Sequence, residues 1–524
     1  MKKQVIFLSI MLTLTACSVN NKNNKPVEGP IASTSVEKSI DFQIERTTLS
    51  KGFQSVNPHV EIVDKDTEPA FLVNLGIVEC SKINIDKITK ASNEIKIYAS
   101  RTIEENKKDI VVPQLLIKLD GIDNVTLKDT KFSIINSNYE PIKVAYDKNQ
   151  VLNNIYAQFK ITSNTVPKIN LINEDNKYIW DVDLHNIFAK EQIDLPLVYF
   201  KARVDASSGE FIETNQQIIS TTIDKGNIID YVDGKSIIYI QKINNKDGDY
   251  QNLWLYDIQK NKKEKIYSTH NTIYSAKFSP DLSKIAIIEH NGKLTDIFIV
   301  NLSDNTTQKI TPLAYKHSWN IEWYGKKLYA LNNDEKSRAT LLSFDLEKNE
   351  HQILFSVSKN ISDFDVYNEK FVFTEFNEQQ NTKEIFITSD GKELKKIDSG
   401  HIPKFIDSNI LVYKKNVINQ NKCTLWLYDI NNKVKKSVTD MDIRSFSIID
   451  SDTLVLVGRE NYGTEFSSFI YKLNSGDLTA LGHVISETVY YNSKANTIYF
   501  SAIPPIDNLD TSQIYSIDLN NILN

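Results

Sequence analysis

Cysteine, glycine and long apolar runs are all scarce in this chain, and each shortage excludes a class of protein. Three Cys in 524 residues cannot staple a disulfide scaffold, and none of them forms a Cys-x-x-Cys pair. After the first 16 residues, no stretch reaches the ~18 apolar residues that a spanning helix needs. Basic blocks are missing as well. The 61 Lys plus Arg face 67 Asp plus Glu, a net charge of −6, and a chain of this kind is a poor partner for nucleic acid, whose phosphates call for clustered cations. There is no Gly-x-Ser-x-Gly elbow, no His-Glu-x-x-His and no Gly-rich phosphate loop, so no cofactor is implied. Asn245-Lys246-Asp247-Gly248-Asp249 has the look of a calcium loop but lacks the remaining spaced oxygen ligands, and reads as a polar hairpin turn. What is present, 41% hydrophobic and 24% charged residues, is a globular composition. The length suggests two to four units.

The N-terminus sets a compartment. Lys2 and Lys3 precede the apolar run Val5 to Leu14, which is too short to span as a stable helix and has the form of an export signal. Leu14-Thr15-Ala16-Cys17 resembles the lipobox of bacterial lipoproteins. That resemblance implies cleavage before Cys17, removal of residues 1–16, and diacylglycerol on the Cys17 sulfur. Two or more acyl chains anchor a protein stably where one would not. The expected location is extracytoplasmic: the outer face of the cytoplasmic membrane in a monoderm, or the periplasmic side of an envelope membrane in a diderm. Residues 17–45, rich in Asn, Lys, Pro and Ser and without apolar periodicity, read as a flexible tether. Cys80 and Cys423, far apart in sequence, read as two buried free thiols.

The second half repeats. Leu253-Trp254-Leu255-Tyr256-Asp257 is followed by similar alternating segments ending at Asn301, Asp345, Ser389, Asp429, Asn474 and Asp518, spaced 44, 44, 44, 40, 45 and 44 residues apart. One period, such as that around Ile297–Asn301, holds four short strands punctuated by turns such as Ser279-Pro280-Asp281 and Asn291-Gly292. Four strands in 40 to 45 residues make one β-propeller blade, which cannot bury both of its faces alone. Seven copies predict a seven-bladed propeller over 211–524. The last copy lacks room for a fourth strand, so Gln217–Thr222 is expected to pair beside Gln513–Ile517 and close the ring. Phe278-Ser279-Pro280-Asp281 resembles the repeat of TolB-like proteins, a periplasmic family whose propeller binds other proteins. Those propellers have six blades.

Residues 46–210 read as a small β-rich module of one or two subdomains, sandwich-like, with no long amphipathic helix. Candidate strands are 70–75, 95–100, 114–119, 131–135, 156–161, 178–182 and 198–204, and 162–176 reads as a loop. Tyr199 to Glu210 resembles the closing hairpin of PepSY-like domains, with Asp205 and Gly209 suited to a tight turn. The fold class expected overall is therefore all-β.

Four of the eight His, at His270, His317, His401 and His483, stand just before the first strand of a unit. In a propeller that position is the mouth of the central channel, where imidazoles could gather around a metal or an anion. Some seven-bladed polysaccharide lyases place a His-bound metal there, which defines the alternative reading: a small-ligand or metal-dependent, lyase-like site. Trp254, Trp319, Trp323 and Trp426 suit either binding or packing between blades. The leading reading is a non-enzymatic, lipid-anchored envelope protein that binds a protein or a cell-wall-associated partner.

Overall fold

A computed structural model describes residues 37–63, 70–119, 130–163, 167, 169–244, 248–311, 318–333, 338–357, 361–417, 420–460, 466–506 and 510–521. Cys17 and His317 lie outside the described residues. The chain divides into two compact units, and residues 51–56 belong with the second although they fall between two parts of the first.

The first unit, up to Ile142, is a β-sandwich. Lys38–Ile40, Lys82–Ala91, Glu94–Thr102 and Lys131–Asn136 form one sheet in that order. Phe42–Ser50, Asp109–Leu119, Ala70–Asn74 and His59–Val63 form the other, in that order. Alternation drives the arrangement: along Glu94–Ala99, Ile95, Ile97 and Ala99 are buried while Glu94, Lys96 and Tyr98 are half-exposed. Those side chains meet Phe71, Val73, Leu115 and Ile117 from the facing sheet in one core. The tether expected over 17–45 therefore ends earlier, because Lys38–Ile40 and Phe42–Ser50 are already paired into sheets.

After residues 51–56 the second unit continues with a helix, the one α-helix among the described residues of a chain that is otherwise nearly all β, as expected. Lys148–Phe159 is α-helical (α1), and its start is set by a capping box. The Asp147 carboxylate accepts the Gln150 N–H, and the Gln150 side chain accepts the Asp147 N–H, both at 2.9 Å. The helix stops at Lys160, whose backbone is left-handed. Tyr156–Ile161, expected as a strand, is the end of this helix and the first residue of the strand Ile161–Thr162. Val151, Leu152 and Ile155 are its buried stripe. Phe159 packs on Phe200 and Phe211, with ring centroids 4.7 and 5.4 Å away. The sheet beneath runs Ile161–Thr162, Lys177–Ala189, Leu197–Asp205, Phe211–Ile218, with Ile169–Glu174 pairing along Lys177–Val182. Part of the expected loop over 162–176 is thus a strand. The tight turn before Phe211 is built as its residues suggest: Asp205 Oδ1 accepts the N–H groups of Ser207 and Ser208 at 2.9 and 3.0 Å, and Gly209 sits at φ +78°.

Residues 221–518 form seven four-stranded antiparallel sheets. Their inner strands are Asn227–Val232, Thr272–Phe278, Ser318–Tyr324, Ile361–Tyr367, His401–Phe405, Asp442–Ile448 and Tyr490–Asn492. Each of the first six sheets takes its next three strands in chain order. In the seventh, Thr221–Lys225 supplies the outer strand beside Gln513–Asp518, with Thr221 opposite Ser516 and Thr222 opposite Tyr515. The closing strand thus lies a few residues later than Gln217–Thr222: Gln217 and Ile218 still pair with Tyr199 and Val198 in the preceding sheet. The chain changes ladders at Ile219 and Ser220, where the Ser220 hydroxyl accepts the Leu197 N–H at 2.8 Å. The propeller therefore begins at about 221, not 211. Separate apolar clusters join each sheet to the next, and a last one, with Ile237, Tyr239, Tyr499 and Ile514, joins the seventh sheet to the first. Sheets packed in sequence order and closed on themselves are the arrangement of a β-propeller.

Candidate functional site: a charged girdle on the inner strands

Cross-strand register identifies equivalent positions in the seven sheets. Asp230, Lys277, Glu322, Asp365, Lys404, Ser447 and Tyr490 pair with Ile238, Ala286, Tyr329, Val372, Val412, Val455 and Tyr499. All seven partners occupy the same rung of the second strand. One polar side chain per sheet therefore stands at a single level of the innermost strands.

These side chains converge. Lys277 Nζ reaches both oxygens of Glu322 at 2.7 Å. Lys404 pairs with the same Glu322, although they lie on the fifth and third sheets, and its Nζ stands 3.5 Å from Asp365. Side chains from the third and fifth sheets can meet only near the axis. Two of the carboxylates also tie adjacent inner strands together. Asp230 Oδ2 accepts the Phe278 N–H at 2.9 Å, and Asp365 Oδ2 accepts the Phe405 N–H at 2.7 Å. The Trp323 indole N–H donates to the Lys277 carbonyl at 3.2 Å.

Water reaches this level but does not dominate it: the side chains of Glu322 and Asp365 are 11% and 14% exposed, those of Lys277 and Lys404 27%. The electrostatics follow. Burial pushes the Asp230 carboxyl up to about 6, against the opposing pull of Lys277 and the Phe278 N–H. Burial would also raise Glu322, but the two lysine ammoniums outweigh it and hold Glu322 below its ordinary range. Asp365 is raised by burial and by the neighbouring Glu322 charge, which Lys404 only partly offsets. Burial works against the charged form of Lys404, yet Asp365 and Glu322 hold it above its usual range. The sixth, seventh and first sheets complete the level with Ser447, Tyr490 and Asp230. The Ser447 hydroxyl is buried with no partner among the described residues. Chemically this is a largely self-compensated ion network, three carboxylates against two ammoniums.

The histidines expected at the channel mouth do not form a ring among the described residues. His270 stands two residues before its inner strand, with Nδ1 3.1 Å from the Asp249 carbonyl oxygen. His401 is the first residue of its inner strand. Its Nδ1 is buried without a partner among the described residues, and its Nε2 lies 3.9 Å from the Cys423 thiol. Burial, reinforced by Lys414 and Lys383, lowers its pKa to about 4, so it is neutral at physiological pH. His483 corrects the expectation of position: it ends the outer strand Leu478–His483 of the sixth sheet, and the next inner strand begins only at Tyr490. Its ring packs at a tilt against His185, with centroids 4.7 Å apart, and its Nδ1 lies 3.2 Å from the Ser467 hydroxyl. Among the described residues no three His, Cys, Asp or Glu side chains stand together as metal ligands would. Cys80 is buried and Cys423 half-buried, both as free thiols. Trp254, Trp323 and Trp426 pack against the apolar clusters between sheets.

Sequence reading passed over the girdle, although a signal exists. A polar residue directly before an apolar one recurs as Asp230-Tyr231, Lys277-Phe278, Glu322-Trp323, Asp365-Val366 and Lys404-Phe405, in step with the repeat. In a strand, such alternation ordinarily means a solvated face, and only ring closure turns that face inward.

No protein-family model matches the chain, and no curated protein does. Among solved structures it is similar to the β-propeller domain of the Trilobed protease from Pyrococcus furiosus, at 15% identity and a TM-score of 0.44, over 56% of this chain and 95% of that one. An oligogalacturonate lyase from Vibrio parahaemolyticus is similar at 12% identity and a TM-score of 0.45, over 61% and 96%. TolB from Acinetobacter baumannii is similar at 14% and a TM-score of 0.36, over 66% and 86%. No helix among the described residues is long and apolar enough to cross a membrane.

Proposed function

We propose that this chain is a lipid-anchored cell-envelope protein whose seven-bladed propeller, closed by Thr221–Lys225, binds an envelope protein or a cell-wall-associated partner without catalysing a reaction on it. The girdle carries this reading. Catalysis needs polar groups held in reserve for a substrate, whereas here Lys277, Glu322, Lys404 and Asp365 neutralise one another at the axis. A ring of sheets with such a filled axis offers its broad faces, which suit a macromolecule. On the face where the inner strands begin, Tyr274 and Ile402 are large apolar side chains exposed at 42% and 36%, and Arg444, at the register break of the sixth inner strand as Tyr274 is at that of the second, is exposed too. Lipid on Cys17 would hold the chain at a membrane.

Crosslinking in the native envelope followed by mass spectrometry tests the reading. One protein should be captured reproducibly, and Tyr274→Ala with Arg444→Ala should abolish its capture. Turnover of a glycan by the purified protein, with no partner captured, would replace this reading with the lyase-like one.

A further inference from the structure

The strand Phe211–Ile218 is the last of its five-stranded sheet, and among the described residues it pairs only with Leu197–Asp205. Every residue after Phe211 is exposed. Such an edge carries a row of unpaired backbone N–H and C=O groups, and proteins usually blunt it with charge, Pro or a central bulge. The long edge strand Phe42–Ser50 of the sandwich is defended in this way: Glu45 and Arg46 lie at its middle, at a register break between Ile44 and Arg46. Phe211–Ile218 is not. Its register break falls at its very start, it has no Lys, Arg or Pro, and Glu213 is its one charge. Near its two ends it exposes apolar side chains, Ile212 at 52% and Ile218 at 53%.

We propose that this edge pairs antiparallel with the same edge of a second copy of the chain, about a two-fold axis through Asn215. The sequence is self-complementary in that register. Ile212 faces Ile218 of the second copy, and Ile218 faces its Ile212, so that both exposed apolar residues are covered twice over. Glu213 faces Gln217, whose amide donates to the carboxylate. Thr214 faces Gln216, and Asn215 faces itself. No like charges meet. Moving the axis to Thr214 or Gln216 leaves both Ile of each copy without an apolar partner, one facing a polar residue and the other a position beyond the strand, and moving it to Glu213 sets two carboxylates opposite each other, which disfavours pairing. One strand pair is small beside the ~1,200 Å² or more that stable complexes bury, so the association is weak and depends on concentration.

Sedimentation velocity on the full chain in detergent reads this directly. The wild type should shift from monomer toward dimer as concentration rises. Asn215→Lys sets two ammoniums across the axis at an exposed position and should weaken the dimer at least tenfold while leaving thermal unfolding unchanged. Hydrogen exchange supplies a second readout: amides within 213–218 should gain protection with concentration in the wild type and not in Asn215→Lys. A wild type that stays monomeric with unprotected 213–218 amides overturns the proposal, even if another protein's strand is later found on this edge. So does a dimer that Asn215→Lys leaves intact.

Discussion

Glu322→Ala is the sharpest probe of the girdle. The carboxylate is held by Lys277 at 2.7 Å through both oxygens and also by Lys404. Removing it leaves two ammoniums near the axis with one remaining carboxylate contact, Asp365 at 3.5 Å from Lys404. Losing one partner of a buried ion pair costs on the order of 3–5 kcal/mol. Because Lys277 and Lys404 keep 27% of their surface, channel water recovers part of this, and the lower end, about 3 kcal/mol, is expected. With a urea slope of ~3 kcal/mol per M, the midpoint of the propeller transition should fall by about 1 M. Tryptophan fluorescence suits the assay, since Trp323 adjoins Glu322 in sequence and its indole is bonded to the Lys277 carbonyl. The surface pair Lys326–Glu347 provides the control. Its contact is equally short, 2.6 Å, but its side chains are 82% and 69% exposed, so Lys326→Ala should leave the midpoint where it is. If Glu322→Ala and Lys326→Ala behave alike, the girdle is not a desolvated network.

Other expectations follow from the same structure. His401, its pKa lowered to about 4, binds its proton less readily folded than unfolded. Its contribution is therefore present above pH ~6.5 and lost as pH falls toward 4, and His401→Gln should flatten that part of a stability-versus-pH curve. Asp230 runs the opposite way: its carboxyl is raised to about 6, so its contribution is present below pH ~4 and lost as pH rises through 6. Asp230→Asn should gain stability relative to the wild type over that interval, read by urea midpoints at each pH. Tyr515→Ala removes a fully buried ring from the cluster joining the sixth and seventh sheets, together with its 3.0 Å bond to the Leu195 carbonyl. A loss of roughly 3–5 kcal/mol is expected, measured by thermal or urea unfolding. Cys17→Ser should move the protein out of the membrane fraction or block its processing, and a mutant that still fractionates wholly with membranes would refute lipid anchoring.

The repeat was legible because its chemistry is local. Asp257, Asp345 and Asp429 end third strands, and each turns the chain by accepting a backbone N–H three residues on, at 3.0, 3.2 and 2.9 Å. Alternation along Leu253–Tyr256 and its copies needs no distant partner to be recognised, so the number and spacing of the units could be counted directly. Helix α1 was not legible by pattern. Only Val151, Leu152 and Ile155 are buried in it, too few to show a period among Asn, Gln and Lys, and it is the packing of Phe159 on Phe200 and Phe211 that completes its apolar side. Its capping signal, Asp147 with Gln150, was nonetheless present in the sequence. The girdle lay furthest from view. Glu322 and Lys404 are 82 residues apart and become neighbours only when the ring closes. Until then each is an ordinary polar residue on an alternating strand. The turns and strand alternation are encoded over a few residues, whereas the inward or outward sense of a strand face, and the partners of the charges on it, depend on contacts between sheets that no local stretch of the chain contains.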